Sequence, residues 1–255
     1  MLYYCAPLEG LTGRQFRKVH QSCFPGADRY YMPFLSPAQG HVFSPKELRE
    51  LDPDYNRGIP VIPQLLTRRA EDFVWAAGEL AAMGYREVNL NLGCPSGTVT
   101  AKGKGAGFLG RLEELEGFLD EIFAHSPLPI SIKTRLGVQE AEEFEAILQL
   151  YAQYPLRELI LHPRVQKDLY RRPVRNQWYG FALERVKFPL CGNGDLNTPE
   201  DARALTETYP GLEGLMFGRG LMADPALISR QKGGPPASRE DLQRFHDALY
   251  EHYIQ

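Results

Sequence analysis

Cys94 stands between Gly93 and Pro95, just past a β-rich run. Buried cysteines usually act as small hydrophobes inside strands or helices, whereas a thiol on a glycine-proline turn is placed to give or take a proton. A second group follows in Ile130-Ser131-Ile132-Lys133-Thr134-Arg135, where apolar and polar residues alternate. In a strand the two isoleucines share one face, so Lys133 takes the other and must be compensated there or have a task. Three readings stay open for it: a Schiff-base lysine, a cation beside an electron-rich heterocycle, or a salt-bridged core lysine. Two late glycine-rich turns, Gly192-Asn193-Gly194-Asp195 and Gly218-Arg219-Gly220, let the backbone approach an anion closely. Arg219 adds a forked donor, and the set predicts a phosphate-bearing ligand.

Basic loops accompany these groups. Lys102, Gly103, Lys104, Gly105 and Gly107 read as a long flexible loop of the kind that acts as a lid or clamp. Lys167, Arg171, Arg172 and Arg175 interleave with Tyr170 and precede Trp178, which suits a polyanion with exposed bases.

What positions them is a repeating pattern of short apolar runs and amphipathic stretches. Strands are predicted near 3–6, 28–33, 59–65, 86–92 (alternating), 129–135, 157–162, 187–191 and 213–217. Between them lie helices, one over 69–83 with Thr67 as its cap and Gly84 as its stop, one over 111–124, and one carrying Phe144, Ile147, Leu148 and Tyr151 on a single face. Eight strand-then-helix units in about 230 residues have the dimensions of a closed (β/α)8 TIM barrel. A doubly wound open sheet competes, but it would carry its phosphate glycines after the first strand. Chemistry in a barrel gathers at the C-terminal strand ends, where this chain puts Ala6-Pro7-Leu8-Glu9-Gly10, Gln64, Asn91 to Pro95, Lys133 to Arg135 and His162-Pro163-Arg164. After residue 231 a Gly-Pro linker leads to a helix in which Ser238 and Asp241 form a capping box and Leu242, Phe245, Leu249, Tyr250 and Tyr253 an apolar stripe.

With 255 residues, 43% hydrophobic and 24% charged, the chain can bury a sizeable core and is neither disordered nor fibrous. A net charge of −3 gives no global reason to expect nucleic acid, so any such surface must be local. Cys5, Cys23, Cys94 and Cys191 are too scattered for a metal knuckle or a disulfide framework and fit a reducing compartment. No run approaches the length of a membrane span and no leader pattern opens the chain; a cytoplasmic protein without membrane or metal is expected.

From Ala6 to about Leu227 the sequence resembles the tRNA-dihydrouridine synthases. The most specific block is Asn91-Leu92-Gly93-Cys94-Pro95, continued by Val99, Lys102, Gly105 and Leu109, and the other strand-end motifs follow in the family's order, with Leu8 where methionine is common. The resemblance implies an FMN-binding barrel over 1–231, and over 232–255 a linker and the first helix of a C-terminal helical domain that is otherwise truncated. It implies reduction of uridine to 5,6-dihydrouridine in tRNA with NADPH as reductant. Pro7, Leu8, Glu9, Gln64 and Lys133 would then border the flavin ring, and His162, Asn193, Gly194, Asp195, Gly218 and Arg219 would hold its ribityl phosphate. Cys94 would be the proton donor, with Asn91, Lys102 and Arg164 positioning the uracil and its strand. The alternatives are a flavin reductase of a free pyrimidine or small enone, and a flavin- or RNA-binding protein without turnover.

Overall fold

The computed structural model describes residues 1–37 and 40–254. In chain order its elements are β1 (Leu2–Cys5), α1 (Arg14–Cys23), β2 (Arg29–Tyr31), α2 (Pro45–Leu51), β3 (Val61–Ile62), β4 (Gln64–Leu65), α3 (Ala70–Ala82), β5 (Val88–Leu92), α4 (Gly97–Thr100), α5 (Leu112–His125), β6 (Ile130–Thr134), α6 (Glu143–Tyr151) and β7 (Leu159–Leu161). They continue with α7 (Gln177–Leu183), β8 (Leu190–Asn193), α8 (Pro199–Thr208), β9 (Gly214–Phe217), α9 (Arg219–Ala223), α10 (Leu227–Gln231) and α11 (Arg239–Ile254).

The strands form one parallel sheet in the order β3-β2-β1-β9-β8-β7-β6-β5-β4. Its two outer members are halves of a single extended run split at Pro63, which has no N–H to donate to a ladder. The first half pairs with β2 and the second with β5. On the β2 side, Leu35 continues the pairing onto the second half, donating to Gln64 O at 2.8 Å and accepting from Leu66 N at 2.8 Å. The sheet therefore closes on itself, and the expected eight-stranded barrel forms.

Two cores result. The larger fills the space between sheet and helices. The smaller lies inside the barrel and consists of Tyr4, Ala6, Tyr31, Ile160, Cys191 and Met216, with Ile62 against it. Below them, at the N-terminal end, Glu158 accepts from Tyr4 Oη at 2.8 Å, Tyr31 Oη at 3.1 Å and Arg29 at 3.2 Å. Burial pushes the Glu158 carboxyl above its usual range despite these donors. This charged plug occupies the barrel floor.

Two local expectations need correction. Thr67 does not cap α3; Arg69 occupies that position, and Thr67 Oγ1 instead accepts from Arg69 N at 3.1 Å in the turn before it. Residues 88–92 do not alternate in exposure, because helices cover one face of β5 and the barrel interior the other, so all five are buried. Gly84 does stop α3, at φ +92°.

The C-terminal helix folds back onto the barrel. Its capping box forms, with Ser238 Oγ accepting from Asp241 N at 3.1 Å and the Asp241 carboxylate accepting from Ser238 N at 3.0 Å. The apolar stripe divides. Phe245 meets Phe16, His20 and Phe24 of the α1 region at ring distances of 6.0, 6.3 and 5.4 Å, whereas Leu242, Tyr250 and Tyr253 stay exposed.

His20 lies at the centre of this contact, fully buried. Its Nε2 faces Pro225 O at 2.9 Å, and a carbonyl only accepts, so Nε2 carries the proton and Nδ1 accepts from Tyr30 Oη at 2.6 Å. Burial disfavours the imidazolium and lowers its pKa to about 4. Unfolded chains take up this proton near pH 6.5, so the neutral histidine's contribution is complete above that value and is lost as pH falls toward 4. Urea midpoints for the wild type should drop over this window by more than those of His20→Leu, with about 3 kcal/mol as the upper limit of the difference; equal slopes would refute the assignment.

Candidate active site

A ladder of amides crosses the barrel interior toward the C-terminal mouth. Asn89 Nδ2 donates to Ser131 Oγ at 3.0 Å, Gln64 Nε2 to Asn89 Oδ1 at 2.7 Å, and Asn91 Nδ2 to Gln64 Oε1 at 2.8 Å. The remaining Asn91 oxygen accepts from Gly93 N at 3.1 Å and Cys94 N at 2.9 Å. A strand side chain thus captures the two backbone donors of the turn that carries the thiol. Cys94 is half-buried and its carbonyl accepts from Ala106 N at 3.0 Å.

This second tie alters the picture of the basic loop. Rather than an open lid, residues 97–110 fold into α4 and a 3-10 turn over Gly105–Gly110. Its glycines serve close packing: a Cβ on Gly105 would lie 2.7 Å from Cys94 O, and one on Gly107 2.9 Å from Thr100 backbone. Lys102 is exposed on this loop, and Lys104 Nζ donates to Ser36 Oγ at 3.1 Å.

Lys133 sits opposite Asn91 in the β5–β6 register. It is half-buried, and among the described residues nothing accepts a hydrogen bond from its ammonium. Desolvation, then Arg135, lowers its pKa to about 8. No carboxylate among the described residues pairs with it, as the salt-bridged core reading would require. Arg135, two residues on and fully buried, ties both neighbouring loops together. It donates to Gly93 O at 3.0 Å, Val165 O at 3.1 Å and Leu169 O at 2.8 Å, leaving Nη2 buried without a partner.

The other half of the mouth lies at the ends of β7, β8 and β9. Gly194 (φ +118°) and Asp195 (φ +52°) turn the chain sharply, and Asn193 is anchored through Nδ2 to Met216 O at 2.8 Å. Asp195 is bridged by Arg164 at 2.5 Å and Arg219 at 2.8 Å, so its carboxylate orients two guanidinium groups. His162 accepts from Arg164 Nη1 at 2.9 Å; burial and the surrounding cations hold its pKa well below the ordinary range, so the ring is neutral. The backbone N–H groups of Gly194, Asp195, Arg219 and Gly220 find no acceptor among the described residues. They border a cavity of about 50 Å³ shared with Ala6, Leu8, His162 and Tyr170. The Tyr170 ring lies 5.0 Å from the Arg219 guanidinium and 5.2 Å from that of Arg135. Tyr170 is half exposed and forms the solvent side of this cavity.

Placement of the expected residues is therefore uneven. Gln64, Asn91, Cys94 and Lys133 meet on one side of the mouth, and His162, Arg164, Asn193, Gly194, Asp195, Gly218 and Arg219 on the other, with Pro7 and Leu8 along the edge. Glu9 turns to the outer rim and pairs with Lys46 at 3.2 Å. Arg135 and Tyr170, named above only as a strand-end residue and a member of a basic loop, carry contacts for which no role was expected, although the spacing of Arg135 from Lys133 marks the same inward strand face. The donor set fits a flavin mononucleotide: free backbone N–H groups with Arg219 suit its phosphate, and an unpaired ammonium suits an electron-rich ring edge.

Over residues 4–254 the chain matches the profile of the family described as dihydrouridine synthase (Dus). It is 30% identical over 227 residues to a probable tRNA-dihydrouridine synthase 1 of Synechocystis sp., covering 88% of this chain and 62% of that protein. A tRNA-dihydrouridine(16) synthase of Ralstonia nicotianae is 30% identical over 237 residues, 89% of this chain and 72% of that one. The chain spans about three-fifths of the Synechocystis relative's length. Among solved structures, an old yellow enzyme homologue from Zymomonas mobilis matches with a TM-score of 0.65 at 12% identity, covering 94% of this chain and 91% of that one. That likeness shows the barrel fold alone.

An ammonium without an acceptor inside a mouth is a cost to the fold. Because Lys133 has a lowered pKa, it destabilises the protein while both states bear the charge, below about pH 8, and this penalty shrinks as pH rises toward 10.5. Lys133→Met should raise stability by about 1–2 kcal/mol at pH 7, and by less at pH 9.5, in denaturant titrations of the flavin-free protein. Destabilisation by the same change would mean that the lysine holds the fold together.

Proposed function

Since the chain belongs to the dihydrouridine synthase family, we propose that it is a cytoplasmic enzyme that reduces uridine in tRNA to 5,6-dihydrouridine, using FMN with NADPH as reductant. The observation that carries this reading is the Cys94 turn, pinned by Asn91 beside an ammonium that none of the described residues neutralises.

A reduced flavin, when bound, supplies the hydride to C6 of the uracil ring. Arg219 and the backbone N–H groups of Gly194, Asp195 and Gly220 would hold its phosphate, Asn193 and His162 its ribityl chain, Lys133 and Gln64 its ring edge, and Pro7, Leu8 and Gly218 would line its course. The neutral state of His162 suits a hydrogen-bonding role and avoids adding a further charge among Arg164, Arg135 and Lys133.

The chain's own chemistry is proton delivery. Negative charge arriving at the uracil conjugated system must be quenched at C5, and the Cys94 thiol gives its proton there, the resulting thiolate being relieved by the Lys133 and Arg135 cations nearby. Asn91 fixes the height of the turn and so the reach of the sulfur. Arg135 ties the turn's Gly93 carbonyl to the loop bearing Tyr170, which keeps thiol and aromatic ring in register. Uracil reaches this depth only unstacked from its neighbours, and Lys102, Arg171 and Arg172, exposed around the mouth, suit the phosphates on either side.

Purified protein should be yellow, and Cys94→Ala should keep its flavin while losing dihydrouridine formation in transcript tRNA by about 100-fold or more, measured by loss of the uridine signal in nucleoside analysis. Full activity in that variant would remove Cys94 from its role.

A further inference from the structure

Beside the mouth lies a larger cavity, about 580 Å³, that the proposed reaction does not use. It is bounded by the loop after β1, the Pro33–Ser36 segment after β2, α2, and Tyr253 near the end of α11. A volume of this size is that of a small-molecule site.

Its charges are arranged asymmetrically. All three bordering carboxylates are engaged: Glu47 accepts from Ser36 N and Ser44 N at 2.7 Å each, Glu50 takes Arg14 N at 3.2 Å and the buried Arg17 guanidinium at 3.0 Å, and the exposed Glu9 pairs with Lys46 at 3.2 Å. The bordering guanidinium groups are left over. Among the described residues Arg14 lies over the Tyr55 ring at 4.5 Å with no acid partner, and Arg49 forms no hydrogen bond or ion pair. Phe34 and Tyr253 supply aromatic surface on the same walls. Unpaired guanidinium groups and aromatic faces around one cavity match an anionic ligand with a flat ring.

The cavity shares a wall with the reaction mouth. Leu35 N donates to Gln64 O at 2.8 Å, and Ser36 Oγ accepts from Lys104, on the loop whose Ala106 N holds Cys94 O. We propose that this cavity is a second nucleotide subsite, taking a phosphate at Arg14 and Arg49 and a base against Phe34 and Tyr253. The inference rests on the reading above for its connection to catalysis. Two sources present this chemistry at the mouth: a nucleotide flanking the target in the RNA strand, and the adenosine half of the dinucleotide reductant.

Direct binding to the flavin-loaded protein separates them. A fluorescein-labelled oligouridylate and 2′,5′-ADP are titrated against wild type, Arg49→Glu and Arg14→Glu. Arg49 is exposed and unpaired, so its variant should melt at the wild-type temperature while binding weakens about tenfold for the ligand that occupies the cavity. If that ligand is the RNA strand, the log-log salt slope of oligouridylate binding also becomes shallower by about 0.7 for each phosphate no longer neutralised. A loss confined to oligouridylate assigns the subsite to the strand, and one confined to 2′,5′-ADP assigns it to the reductant. Unchanged affinity for both ligands in both folded variants overturns the proposal. Neither titration involves turnover, so a protein that binds through Arg49 yet reduces no uridine would refute the proposed reaction and leave the subsite standing.

Discussion

The capture of two backbone N–H groups by one asparagine oxygen is the constraint on which the rest of the mouth depends. Asn91 belongs to a strand whose neighbours on both sides are closed into the barrel, so its side chain is as fixed as the sheet itself. Through Gly93 and Cys94 that rigidity passes to a turn which would otherwise be an ordinary surface loop. The amides behind it, Gln64 and Asn89, satisfy one another in a buried interior where an unmatched polar group would cost stability. A network of this kind permits little slack: loss of any member frees the next, and the sulfur's position with it.

Around this fixed point the fold leaves positive charge unbalanced. Lys133 and Arg135 share one strand face, Arg164 and Arg219 share a single carboxylate, and His162 among them is held neutral. Like charges gathered at the mouth repel one another, and an anionic occupant would relieve that repulsion, so ligand binding and folding stability would be coupled here. The same logic distinguishes the floor of the barrel, where Glu158 and Arg29 are satisfied by tyrosines and by each other. One end is built to be complete and the other to be completed.

Much of this was legible in the residues. Alternation at 130–135 pointed Lys133 inward, and the recurrence of short apolar runs implied the closed barrel. The break at Pro63 was harder to read, because a proline inside a strand run leaves open whether the strand ends or merely changes partner; only the surrounding pairings decide that. Glycine was the most ambiguous signal. Gly103, Gly105 and Gly107 suggested looseness, yet two of them are there because no Cβ fits between the loop and the Cys94 and Thr100 backbones. Composition records that a side chain is missing and not whether space or flexibility required it. Thr67 shows the related limit for capping, since a hydroxyl before a helix can serve the preceding turn instead. The inward face of Arg135 was readable from its spacing, but its ties to Gly93, Val165 and Leu169 depend on loops whose paths no local pattern specifies.

The sealed floor has a consequence for traffic. A barrel stopped at its base by buried charge is a vessel with a single neck, and whatever enters must back out the way it came. Two bulky ligands that both needed the depths of such a vessel could not pass one another and would have to visit in alternation.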